Sequence, residues 1–159
     1  MIDQQTCELL ISKDAFLVPT MSTHEVLPIM GLEAGMPADM LEKVSFVTEE
    51  GKKNFPNAWK QGVKMVFGTD LLGSMHEHQL LEFELRGAFQ KPIDVIRSAT
   101  IVAAELFQMS EDLGEIKIGA LADIIAVDGN PLDDLRVLQS PDTFLKLIMK
   151  AGRIYKEDC

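Results

Sequence analysis

Gly62-Val-Lys-Met-Val-Phe-Gly-Thr-Asp70 is the stretch whose reading decides the fold class of this chain. Val63, Met65, Val66 and Phe67 show little strict alternation, as a parallel strand buried on both faces requires. Gly68 then removes a side chain just before a carboxylate, so that Asp70 stands at the strand's end with room beside it. The carboxyl ends of parallel strands are where α/β enzymes keep their chemistry. A carboxylate placed there can ligate a metal or take a proton from water; it can equally cap the next helix, and Gly-Thr-Asp alone does not separate the two.

The segments on either side agree with an α/β pattern. Upstream, Asp3 is placed to cap a helix over Gln4 to Ser12, with Cys7, Leu10 and Ile11 on one face. Ala15-Phe-Leu-Val-Pro-Thr20 reads as a second strand, with Pro19 near its end where a missing N–H is tolerated. Met21 to Gly35 reads as a loop. From Pro37 the spacing of Met40, Leu41, Val44 and Val47 predicts a helix, which Gly51 and Pro56 should break or kink before Trp59. Downstream, Glu77 to Gln90 is expected to be helical, with Leu80, Leu81, Phe83, Glu84 and Leu85 forming a broad apolar face. A further helix runs from Pro92 through Ile93, Ile96, Ala99, Ala103 and Leu106. Alternation of helices and strands implies right-handed crossovers and a parallel sheet, open or closed into a barrel.

The period then changes. Gly114-Glu-Ile-Lys-Ile-Gly119 alternates in strand fashion, Ala122 to Asp128 is an apolar strand, and Gly129-Asn-Pro131 is a turn. Phe144 to Lys150 and Arg153 to Lys156, joined by Ala151-Gly152, form a hairpin. Residues 1–110 are therefore expected to be α/β, and residues 111–159 a small all-β piece.

Composition excludes several classes. The 159 residues are 47% hydrophobic and 25% charged, a globular composition. No apolar run reaches the roughly 20 residues of a transmembrane helix, so no membrane partner is expected. A net charge of −10 argues against nucleic acid, whose phosphates call for clustered Lys and Arg. Cys7 and Cys159 stand far apart and outside any C-x-x-C pattern, so both are read as free thiols. The N-terminus has neither a basic nor an apolar region of secretory type, and a cytoplasmic location is the default expectation.

Two separated segments, Gly62 to Asp70 and Leu113-Gly-Glu-Ile-Lys-Ile-Gly-Ala-Leu-Ala-Asp-Ile-Ile-Ala-Val-Asp-Gly-Asn-Pro131, resemble the C-terminal part of the amidohydrolase superfamily of metal-dependent hydrolases. Within it the chain looks most like the imidazolonepropionase-like and Xaa-Pro-dipeptidase-like branch. The resemblance implies the last part of a (β/α)₈ TIM barrel followed by strands of a small β-sandwich. Phe16 to Thr20 would be barrel strand 7, Val63 to Gly68 strand 8, and Gly114 to Lys156 the sandwich portion. Asp70 would match the family's strand-8 aspartate, which ligates a divalent metal, zinc being the expected ion, and accepts the proton of the hydrolytic water. The family's other ligands, His-x-His on strand 1, a carboxylated Lys or carboxylate on strand 4, and His on strands 5 and 6, have no counterpart in this sequence. A complete barrel takes about 250 residues, so the chain is expected to be the C-terminal portion of an enzyme and to hold no catalytic metal alone.

The histidines are weighed by position. His76 and His78 could pass for a metal pair, but on a helix residues i and i+2 do not face each other. His76 follows Asp70 closely and His24 lies in the segment after the strand-7 region; both are candidates for substrate contact. Asp123 is read as structural, and Met21, Met30, Met36 and Met40 as gap-filling residues. The implied function is hydrolysis of C–N bonds in dipeptides, N-acyl amino acids or cyclic amides. The alternative is a non-catalytic interaction piece without metal. Partners implied are a small amide or peptide substrate and, for the open strand edges, the missing barrel strands or a second copy of the chain.

Overall fold

The computed structural model describes residues 2–32 and 35–158, and Cys159 lies outside them. The chain is a mixed α/β structure that divides into two compact units, Met1–Gln90 and Lys91–Cys159.

In the first unit, α1 (Gln4–Ser12) opens on Asp3, whose side chain accepts from the Thr6 N–H at 2.8 Å, so the expected cap is present. β1 (Phe16–Leu17) pairs in parallel with β2 (Lys64–Met65), Phe16 opposite Lys64 and Leu17 opposite Met65. Val66 extends the pairing by donating to the Leu17 carbonyl at 2.9 Å. The regular strands are shorter than the apolar runs that announce them. Even so, Val63, Met65 and Val66 are all buried, consecutive residues included, as a strand covered on both faces demands. Cys7, Ala58, Val63 and Met65 form a core against which Leu10, Leu17, Phe55, Trp59 and Phe89 pack. Cys7 is a free thiol.

Met21 to Gly35 departs from the expected loop: α2 (Met21–Met30) occupies most of it. Two features hid this helix. Thr20, at its start, makes no side-chain cap, and Pro28 lies inside it. Pro28 has no N–H to give the His24 carbonyl one turn back. The Thr48 hydroxyl of the next helix lies 3.1 Å from that carbonyl and 2.9 Å from the Val44 carbonyl of its own helix, so its one proton is shared between the two.

α3 (Ala38–Lys60) runs without interruption for 23 residues through Gly51 and Pro56, where a break or kink was expected. Tertiary packing prevails over local propensity: Ala58 is fully buried, and Phe55 and Trp59 pack on the core cluster. Lys52 also bridges Glu25 of α2 at 2.8 Å.

After β2, a 3₁₀ helix (Gly73–His78) precedes α4 (Leu81–Gly87). The face of α4 differs from the expected one, because Glu84 is exposed whereas Glu82 and Arg86 are 0% exposed.

In the second unit, the single helix expected from Pro92 to Leu106 is divided at Thr100 into α5 (Pro92–Ala99) and α6 (Ile101–Leu106). Gly114, at φ +94, lies against this division: a Cβ there would stand 2.9 Å from the Ile101 Cα and 3.0 Å from the Thr100 carbonyl oxygen. Only glycine fits.

Gly114–Gly119 is not a strand. Its alternating isoleucines, Ile116 at 85% and Ile118 at 106% exposure, have no sheet to face among the described residues. The sheet consists of β3 (Ile124–Val127), β4 (Leu145–Lys150) and β5 (Arg153–Glu157) in antiparallel order, with the short helices α7 (Arg136–Gln139) and α8 (Pro141–Phe144) between β3 and β4. The β4–β5 hairpin turns on Ala151 and Gly152, at φ +48 and +76, as a two-residue turn matched to strand twist requires. Asp123 is structural: its Oδ1 accepts from the Ala151 N–H at 2.7 Å.

Candidate active site

β1 and β2 both leave the sheet through left-handed residues, Thr20 at φ +47 and Asp70 at φ +53. Aspartate is among the residues that tolerate this region best. Before that exit, Gly68 passes so near Val18 that a Cβ on it would lie 2.5 Å from Val18 Cγ1. The Gly-Thr-Asp sequence thus lets the two strand ends come together, with Asp70 exposed just beyond.

Asp70 lines a cavity of about 580 Å³ within the first unit. Thr23, Leu27, Met36, Met40, Leu72 and Met75 supply much of its wall, and Ser74 adds a hydroxyl. Asp70 is the sole His, Cys, Asp or Glu side chain lining it among the described residues, and nowhere among them do three such groups gather to hold a metal. This chain's described residues therefore offer a metal one carboxylate, fewer than the roughly three protein ligands of a catalytic zinc.

The Thr23 hydroxyl donates to the backbone carbonyl of Asp70 at 2.6 Å, tying α2 to the end of β2. Thr23 is in turn fixed by its neighbour. Ser22 donates through both its backbone N–H and its hydroxyl to Glu82 Oε2, each at 2.8 Å. The carboxylate of α4 is thereby the N-terminal cap of α2, which no local residue supplies. Arg86 donates to the Val66 carbonyl at 3.2 Å and to the Gln90 side chain. Burial raises the Glu82 carboxyl above its ordinary range, opposed by the Ser22 bonds and the nearby Arg86 charge. Burial likewise lowers Arg86, to about 10, with Glu82 acting against it.

The histidines lie elsewhere. His24 lines a small recess with Met21, Glu25, Thr48, Gly51, Lys52 and Phe55, apart from the Asp70 cavity, and its Nδ1 is buried without a partner. His76 is exposed on the 3₁₀ helix, and His78 Nε2 lies 3.6 Å from Glu77 Oε1. Successive residues of a 3₁₀ helix are about a third of a turn apart, so His76 and His78 do not converge.

Ser22, Thr23, Glu82, Arg86 and Gln90 escaped the sequence reading. The available signal was Glu82 and Arg86 at i and i+4, a complementary pair on one face of the helix.

A sequence model described as the amidohydrolase family matches residues 8–154. The chain belongs to the amidohydrolase family. Among curated proteins it is similar to ochratoxinase of Aspergillus niger, 28% identical over 155 residues, which cover 97% of this chain and 32% of the relative. Among solved structures it is similar to a prolidase complexed with N-methylphosphonate-L-proline, at 38% identity and a TM-score of 0.92, covering 98% of this chain and 38% of that one. It is also similar to a Xaa-Pro dipeptidase with methionine bound in the active site, at 30% identity and a TM-score of 0.84, covering 97% and 37%. The chain spans about a third of the length of the curated relatives it matches. No helix among the described residues is long and apolar enough to cross a membrane.

Proposed function

We propose that this amidohydrolase chain is the C-terminal portion of a metal-dependent hydrolase of C–N bonds, acting on dipeptides, N-acyl amino acids or cyclic amides. In this reading β1 and β2 are barrel strands 7 and 8, residues 1–110 belong to the barrel, and residues 111–159 supply strands of a β-sandwich. The observation that carries it is Asp70, an exposed carboxylate in the segment that leaves the C-terminal end of the parallel strand β2, on the wall of a largely apolar cavity. The likeness to a prolidase and a Xaa-Pro dipeptidase supports a peptide or amide substrate.

Asp70 is assigned the proton traffic. It accepts the proton of the attacking water and returns it to the leaving amine, which requires hydrogen-bond reach of both. Leu27, Met36, Met40, Leu72 and Met75 offer an apolar bed for the substrate's side chain beside it. The carboxylate also suits a divalent ion, zinc being the expected one, as a single ligand; among the described residues no second His, Cys, Asp or Glu lines the cavity beside it, so in this reading the other ligands belong to the rest of the enzyme. His76, exposed beyond Asp70, is the histidine assigned to substrate contact. His24, on its separate recess, can contribute only through a substrate or partner that reaches α2 from that side.

The test is Asp70→Asn in the full-length enzyme. Loss of a positioned acid–base group should lower turnover on the order of 10²- to 10⁴-fold, with circular dichroism unchanged. His76→Asn should be milder. Near-normal turnover by Asp70→Asn would overturn the assignment.

A further inference from the structure

The cavity does not hold Asp70 by its own strand alone. β2 ends at Met65, and Asp70 follows through a left-handed turn that costs a non-glycine residue free energy. Something must keep that turn in place. The atoms that do so belong to α2: the Thr23 hydroxyl reaches the Asp70 carbonyl oxygen at 2.6 Å. α2 has no cap of its own, and its start is held by Glu82 through both Ser22 bonds. Glu82 sits one helical turn from Arg86, which grips the Val66 carbonyl at the other end of the same segment.

We infer that Thr23 is a positioning residue for Asp70, and that the buried Glu82–Arg86 pair serves to set Thr23 and the β2 end in fixed register. This rests on the catalytic reading of Asp70 given above and extends it to Thr23, which lines the cavity through α2, and to Glu82 and Arg86, which do not line it. The energetics favour such a role over plain stabilisation. Glu82 and Arg86 are both 0% exposed, and Glu82 Oε1 and Arg86 Nη2 have no hydrogen-bond partner; apolar side chains of similar volume in place of such buried charges are often neutral or stabilising, so the pair is weak evidence of a stabilising role. What the pair does accomplish is directional: each of its bonds to main chain ends on a segment that leads to the cavity. A carboxylate that must meet both a water and a leaving amine is sensitive to small displacements.

The experiment uses the full-length enzyme with Thr23→Val, Thr23→Ser and Ser22→Ala. Valine keeps the shape of Thr23 and removes its donor; serine keeps the donor; Ser22→Ala removes one of the two bonds that Glu82 accepts. Thr23→Val should lower kcat on the order of 10- to 100-fold with KM little changed, as misplacement of a reacting group does. Thr23→Ser should restore most of the rate, and Ser22→Ala should lose a few-fold. Normal kcat in Thr23→Val, a loss confined to KM, or failure of serine to rescue would overturn the inference. Asp70→Asn distinguishes the two levels: if it is inactive while Thr23→Val is normal, only the positioning role falls; if it is active, the catalytic reading itself falls.

Discussion

The two units of the chain are held together by different means. In residues 91–159 the sheet is a meander of neighbours in sequence, β3 on β4 on β5, and its order is carried by main-chain ladders that do not depend on side-chain identity. In residues 1–90 the sheet has two residues per strand, and the bonds that fix its cavity-facing end join side chains to distant main chain: Thr23 to Asp70, Glu82 to Ser22, Arg86 to Val66. A ladder tolerates substitution because each bond is one of many. A few side-chain clamps do not, and the cavity-bearing unit should therefore be the more fragile of the two.

The largest effect is expected where that fragility is concentrated. Arg86→Met leaves the Glu82 carboxylate buried without its compensating charge and should cost about 3–5 kcal/mol, read by urea denaturation. Adding Glu82→Gln to it should recover much of the loss. A cost as small as that of a surface substitution would show that the clamps are not what holds this unit. The same pair carries a pH dependence. Burial raises the folded-state pKa of Glu82 above its ordinary value of 4.5, so the folded chain binds that proton more tightly than the unfolded chain. The resulting stability is full below the ordinary value and is lost as pH rises through the raised one. Asp3 and Asp134, held low by hydrogen bonds, act in the opposite sense. The comparison is therefore wild type against Glu82→Gln, whose stability difference should shift toward the variant from acid to neutral pH. A difference independent of pH would remove Glu82 from the account.

Much of this arrangement was legible in the sequence, and the exceptions have physical causes. The Asp3 cap, the parallel strand leading into Gly-Thr-Asp, and the Ala-Gly hairpin are signalled within a few residues of where they act. α2 was not, because its cap comes from Glu82, 60 positions away, and Pro28 lies inside it. α3 was expected to break because Gly51 and Pro56 weigh locally, whereas Ala58 and Trp59 are decided by packing. The alternation at Ile116 and Ile118 has the period of a strand but no partner strand among the described residues. At the cavity, Asp70 was visible because strand-end carboxylates have a local signature. Thr23 and Glu82 were not, because nothing near them in the chain says what they reach.

A smaller effect sharpens the comparison at the strand ends. Gly68→Ala drives a methyl to within 2.5 Å of where Val18 Cγ1 now lies. Overpacking of this kind costs about 1–3 kcal/mol, and the obstructing atom is a stiff β-branched side chain. Val18→Ala in the same chain should return most of that loss. If the double variant is as unstable as Gly68→Ala alone, the close approach of the two strand ends is not what requires glycine.

The smallest effect should come from the second unit, although its bond is as short. Asp123 Oδ1 accepts from the Ala151 N–H at 2.7 Å, at the β4–β5 turn, and the contact is exposed. Asp123→Ala removes a hydrogen bond that water can replace, so the cost should lie near about 0.5–1 kcal/mol. The turn keeps a second tie, the Gly152 N–H donating to the Ala122 carbonyl at 3.1 Å, which belongs to the backbone and survives the substitution. Ala151 also carries a left-handed φ of +48, a conformation that glycine adopts without penalty, so Ala151→Gly should offset part of the loss. The measurement is urea denaturation of Asp123→Ala with and without Ala151→Gly, set beside Arg86→Met. A loss at Asp123 equal to that at Arg86 would mean that the second unit, too, depends on single side chains, and the contrast between ladder and clamp would not hold.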